Sequence, residues 1–61
     1  SAHAIRSLIS QIVANENKNK PLSDNDLQQL LKQQGINIAR RTVAKYREQL
    51  GIPPVQQRRH T

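Results

Sequence analysis

The residues best suited to chemistry in this chain lie in the stretch NIARRTVAKYREQLG, Asn37 to Gly51. Arg40 and Arg41 each offer a planar, permanently charged fork of N–H donors. That fork matches paired acceptors, either phosphate oxygens or the N7 and O6 of a guanine. Lys45 adds a compact point charge four residues after Arg41. These side chains recognise anions; they do not break bonds. Their placement is unusual. The stretch reads as a helix with both arginines in its first turn, although a helix N-terminus carries partial positive charge and favours acids. Arg41 and Lys45 also repel across one turn, at a cost of a few tenths of a kcal/mol.

Other chemistries find no residues to carry them. The chain has no cysteine, and His3 and His60 lie near opposite ends without a second ligand at metal-binding spacing. Asp24 and Asp26 lack the alternation and glycine of a calcium loop. There is no glycine-rich phosphate loop and no paired nucleophile and base, so the expectation is a protein that is not an enzyme and that needs neither cofactor nor metal. A lone tyrosine, Tyr46, cannot build the stacking platform of single-strand binders and many RNA binders, which turns the expected polyanion toward duplex DNA.

Charge supports this reading. The net formal charge is +6, and its distribution is uneven: residues 1–39 carry a net +1 and residues 40–61 a net +5. A basic third on a near-neutral scaffold is the footprint of a polyanion binder. No apolar run approaches the ~18 residues of a membrane span, and no segment resembles a secretion signal. With 61 residues the chain makes at most one small domain, and a domain this short buries only ~60% of the surface its unfolded chain exposes. Because it starts at Ser1, with its motifs crowded toward the C-terminus, it is expected to be part of a longer protein.

The elements that position the basic residues read as three helices, at about 3–15, 23–34 and 38–50. In the first, Ile5, Leu8, Ile9, Ile12 and Val13 follow the i, i+3, i+4 pattern of one buried face. The polar run NENKNKPL, Asn15–Leu22, connects it to the second. Ser23 suits the N-cap of that helix, with Asp26 completing a capping box and Leu22 and Leu27 forming a staple. Leu27, Leu30 and Leu31 supply its buried stripe. Gly35 ends it, with Ile36 folding back on Leu31 in a Schellman-type stop. Asn37 is the expected N-cap of the third helix, which Gly51, Ile52, Pro53 and Pro54 terminate. Two helices joined by a three-residue turn with glycine, behind a supporting helix, form a helix-turn-helix. The fold class is therefore all-α: a domain over residues 1–54 followed by a flexible basic tail, 55–61.

On the third helix, Ala39, Val43, Tyr46 and Leu50 fall within one narrow arc that must face the core. Arg41, Ala44, Lys45 and Glu48 lie opposite, Arg40 and Arg47 on one flank, and Thr42 and Gln49 on the other. In a helix-turn-helix the N-terminal part of the second helix reaches base edges in the major groove, which resolves the paradox of the arginines. The cost at the free helix end is at most about 1 kcal/mol. One bidentate Arg–guanine pair contributes roughly 1–3 kcal/mol of discrimination.

The candidate DNA-binding residues are Arg40, Arg41, Thr42, Ala44, Lys45, Arg47 and Glu48. Arg41 is placed for base contact. Arg40 can reach a phosphate or base, or pack its stem over the second helix. Lys45 can reach a base or phosphate, and Thr42 a phosphate or a thymine methyl. Ala44 is small enough to admit close approach, although alanine is also the commonest helix former. Glu48 is placed to balance Lys45 or to accept from a cytosine. Arg47 is as well suited to a phosphate as to solvent. Tyr46 packs in the core with its hydroxyl toward water. Arg58 and Arg59 either touch the DNA backbone as an arm or merely solubilise the tail.

Ala39–Glu48, ARRTVAKYRE, resembles the RpoN box, the ten-residue signature of the C-terminal DNA-binding domain of bacterial sigma-54 transcription factors. The flanks are similar too: LSD at Leu22–Asp24, LL at Leu30–Leu31, GINI at Gly35–Ile38 and LGIPP at Leu50–Pro54. The likeness runs from about Ala2 to Arg59. It implies a domain whose box helix enters the major groove of the minus-24 promoter element, marked by a GG step; with no apolar heptad or exposed apolar face in the sequence, a monomer is expected. In such factors other regions bind core RNA polymerase and the AAA+ activator, in a cytoplasmic, nucleoid-associated setting without a membrane. On that footing Arg41 reads one guanine, while Arg40 and Lys45 share the second and nearby phosphates. The readings set against it are a helix-turn-helix repressor with another site, a protein-interaction module, and a nonspecific nucleic-acid-binding helical domain.

Overall fold

A computed structural model describes residues 2–58. It is all-α, with α1 at Ala2–Ala14, α2 at Asp24–Gln33, α3 at Arg40–Gln49 and a short α4 at Val55–Arg58. The expected helices are all present, and α4 is an addition within the segment read as tail.

The core forms where the apolar stripes meet. Ile9 and Val13 from α1, Leu27 and Leu31 from α2, and Val43 from α3 are buried together, with Ile5, Leu8, Ile12, Leu22, Ile36, Ile38, Tyr46 and Ile52 packed around them. Ile9, Leu27, Leu31 and Val43 have no exposed surface, and burying an aliphatic side chain of this size contributes about 1.5–3 kcal/mol. α3 packs against both α1 and α2 and so lies across the other two.

Local chemistry sets the ends of α2. The Ser23 hydroxyl accepts from the Asp26 amide, and the Asp26 carboxylate accepts from the Ser23 amide, both at 3.1 Å. This is the expected capping box. At the other end the Ile36 amide donates to Leu31 O at 2.9 Å and the Gly35 amide to Lys32 O at 3.0 Å, closing a Schellman motif. Gly35 sits at φ +83°, in the left-handed region that costs other residues about 1–2 kcal/mol. α3 ends the same way, with Gly51 at φ +74° and the Ile52 amide donating to Arg47 O at 3.1 Å.

The start of α3 differs from expectation. Its N-cap is Ala39, in extended conformation and without a side-chain cap, rather than Asn37. The Gln28 side chain donates to Ile38 O at 3.0 Å, tethering the chain to α2 in an extended course before the helix begins. The connection therefore spans residues 34–39 and is longer than the three-residue turn expected.

Residues 55–58 also depart from the expected flexible tail. Pro54 O accepts from the Gln57 and Arg58 amides at 2.9 and 3.2 Å. The Arg58 guanidinium then reaches the α1–α2 connection. It meets the Glu16 carboxylate at 2.8 Å through Nε and 3.1 Å through Nη2, and also donates to Pro53 O and Leu22 O. The Glu16 side chain has no exposed surface, and that of Arg58 is 7% exposed. Arg59 and His60, also read as tail, lie outside the described residues.

Candidate nucleic-acid interface

α3 divides its residues between an inner and an outer side. Arg40, Arg41, Lys45 and Glu48 are exposed, Thr42 and Ala44 are half-buried, and Val43 is fully buried. The three cations thus fall within the first six residues of the helix. No acid occupies the first turn and no side chain caps it. In α2, by contrast, Asp24 and Asp26 occupy the first turn and Ser23 caps it. The N-terminus of α3 thus carries its partial positive charge without an acid in its first turn or a side-chain cap, and helix N-termini favour anions.

Arg47 does not belong to the outer set. It is only 5% exposed; its Nε donates to Asp24 Oδ1 at 2.9 Å and its Nη1 to Ile52 O at 2.8 Å. The guanidinium is therefore spent on joining α3 to the first turn of α2 and to the chain after α3. Its commitment inside the fold removes it from the residues placed to meet phosphate. The inner arc is also shifted from the expected one: Val43 and Arg47 form its buried part, Tyr46 is half-buried, Ala39 is exposed and Leu50 is 36% exposed.

Two expected pairings turn out differently. Among the described residues no ion pair joins Glu48 to Lys45; the ion pairs are Arg47–Asp24 and Arg58–Glu16. Arg58, read as part of an arm or a solubilising tail, is instead the buried partner of Glu16. Sequence reasoning also missed Arg6. Its guanidinium lies 5.9 Å from the centroid of the Tyr46 ring, and Nη1 donates to Gln49 Oε1 at 3.4 Å. An exposed cation–π contact of this kind contributes about 0.5–1 kcal/mol and braces α1 against the rear of α3. A cation on α1 spaced to follow its apolar stripe was the available signal.

The surroundings of Glu16 displace its titration. Burial pushes its carboxyl upward. The Arg58 hydrogen bonds, the Leu22 amide and the positive charges of Arg58 and Lys18 outweigh that, and hold it below the ordinary glutamate value. Among the described residues no helix is long and apolar enough to cross a membrane.

Comparison with known proteins places this arrangement. The family model for "Sigma-54, DNA binding domain" matches residues 1–60. The RNA polymerase sigma-54 factor of Escherichia coli is 59% identical over 59 residues, which is 97% of this chain and 12% of that protein. The factor of Pseudomonas putida is 58% identical over 59 residues, again 97% and 12%. That of Acinetobacter guillouiae is 62% identical over 53 residues, 87% of this chain and 11% of the relative. The chain thus spans about 12% of the length of these relatives.

Proposed function

The chain belongs to the sigma-54 DNA-binding domain family, and on that premise we propose that it binds duplex promoter DNA in transcription initiation, reading the GG step of a minus-24 element with α3 in the major groove. The observation that carries this is the sorting of basic residues on α3. Arg40, Arg41 and Lys45 are exposed around an uncapped N-terminus, while Arg47 is turned inward. A helix inserted by its N-terminal half presents those three cations to bases and phosphates. Arg41 takes one guanine through its N7 and O6 acceptors. Arg40 and Lys45 share the second guanine and adjacent phosphates. Thr42 and Ala44 are half-buried beside them and shape how closely the helix approaches, and Glu48 marks the end of the contact.

Contact with core RNA polymerase and an AAA+ activator falls to other regions of a full-length factor, which works in the cytoplasm at the nucleoid. The domain acts as a monomer on a short asymmetric site, as a promoter that imposes direction requires. Fluorescence anisotropy on a labelled duplex carrying the GG step, against the same duplex with the step scrambled, tests the reading across a salt series. The expected outcome is a preference for GG, with affinity falling steeply as salt rises. Equal affinity for both duplexes would refute sequence-specific reading.

A further inference from the structure

Beside the first turn of α3 lies a groove that neither Arg41 nor Lys45 lines. One part, of about 280 Å³, is lined by Ser23, Asp24 and Asn25 of the α2 start, by Arg40, and by Pro54, Val55 and Gln56. A second part is lined by Lys20, Pro21, Val55 and Gln56. The two parts share Val55 and Gln56 of α4 as a common wall, with Arg40, the first residue of α3, in the lining of one and Lys20 of the α1–α2 connection in that of the other.

We propose that this groove is a second DNA contact, seating the sugar–phosphate backbone of the strand flanking the bases that α3 reads. The proposal rests on the DNA-binding reading above and extends the contact surface to α4 and Lys20. Arg40 and Lys20 make its lining cationic. Its one carboxylate, Asp24, is already answered by Arg47 at 2.9 Å. Asn25 and Gln56 are exposed and bring amide donors. The apolar lining is limited to Val55 and two prolines, which suits a sugar edge better than the apolar anchors of a partner helix. The wall is fixed in place, since Arg58 ties the end of α4 to Glu16 and Leu22. Half or more of the hydrogen bonds in protein–DNA complexes go to phosphate and sugar. With Arg41 directed at bases and Arg47 withdrawn into the fold, α3 leaves part of that share to other elements.

The test compares the wild-type domain with Lys20→Ala and Gln56→Glu, and with Lys32→Ala as a control of equal charge change outside the groove. All three positions are exposed, so the fold is expected to tolerate each change. Binding is measured to the GG and scrambled duplexes over a salt series. Loss of one phosphate contact lowers the slope of log K against log salt by about 0.9, equivalent to roughly five- to ten-fold in affinity near 0.1 M salt. The expected result is that loss for Lys20→Ala on both duplexes, with the GG preference intact. Gln56→Glu weakens both as well, and Lys32→Ala changes neither. In parallel, ethylating single phosphates outside the GG step should weaken wild-type binding at a position whose ethylation no longer matters to Lys20→Ala. Wild-type preference for GG with Lys20→Ala and Gln56→Glu unchanged would overturn the groove and leave the α3 reading standing. Loss of affinity in those variants without any GG preference in the wild type would support the groove and sink the promoter reading. Failure of the wild type to bind either duplex would overturn both.

Discussion

Removing the Arg58 guanidinium should cost this domain more than any other single change at its C-terminal end. In Arg58→Ala, Glu16 loses partners at 2.8 and 3.1 Å and keeps only the Leu22 amide at 2.9 Å. The carboxylate has no exposed surface in the intact fold. Breaking one side of a buried ion pair costs about 3–5 kcal/mol, because the surviving charge is left uncompensated. Here α4 is a single turn at the end of the chain, so it can open and admit water to Glu16. That places the expected loss at the lower figure, near 3 kcal/mol. A domain of this size has roughly 3–9 kcal/mol to lose, from about 0.05–0.15 kcal/mol per residue. Each kcal/mol moves the midpoint by about 4–8 °C in so small a domain, so a fall of roughly 12–24 °C is expected. Thermal unfolding followed by far-UV circular dichroism reads it directly. Adding Glu16→Gln to Arg58→Ala should recover part of the loss, since it removes the stranded charge. A midpoint within about 2 °C of the wild type, at ~4–8 °C per kcal/mol, would mean that the Arg58–Glu16 pair does not hold the domain together and that residues 55–58 are a passive tail.

Further consequences follow from the same geometry. Because the folded Glu16 carboxyl lies below its ordinary value, near 4.3 when unfolded, its contribution is full above that pH and is lost as pH falls through the lower folded value. Acid titration of stability should therefore be flatter in Glu16→Gln than in the wild type. Arg47→Ala strands Asp24 and the Ile52 carbonyl and should cost about 2–3 kcal/mol. Measured at a temperature where that variant stays folded, its ratio of affinity for GG over scrambled DNA should match the wild type. Ala39→Ser supplies the missing N-cap of α3 and should stabilise the free domain by about 1 kcal/mol, visible as a higher melting midpoint.

What could be read in the sequence was mostly what is local. The capping box at Ser23 and Asp26 and the glycine stops at Gly35 and Gly51 depend on residues within a turn of one another, and each forms as its spacing requires. The apolar stripes of α1 and α2 likewise needed only helical periodicity. The errors concern side chains whose partners are remote. Arg47 meets Asp24 across 23 residues, and Arg58 meets Glu16 across 42. Neither pairing leaves a mark in local spacing, so both arginines look like surface charge. The start of α3 was misplaced for the same reason, because the Gln28 tether to Ile38 acts across the connection rather than within it. Of the candidate interface, Arg41 and Lys45 were visible as exposed cations because helical periodicity places them opposite Val43, whereas Arg40 shares a flank with Arg47. Arg47 sits at the edge of that arc, where only the presence of Asp24 decides its direction.

Arg41 is proposed to read a guanine through its N7 and O6 acceptors. Replacing each guanine of the GG step in turn with 7-deazaguanine deletes one N7 acceptor while leaving base pairing in place. The affinities of the wild type and Arg41→Ala for these duplexes are then compared. One substitution is expected to weaken the wild type about ten-fold, within the roughly 1–3 kcal/mol that such a pair contributes, and to leave Arg41→Ala unaffected. If Arg41→Ala loses affinity as the wild type does at both guanines, Arg41 does not read the GG step.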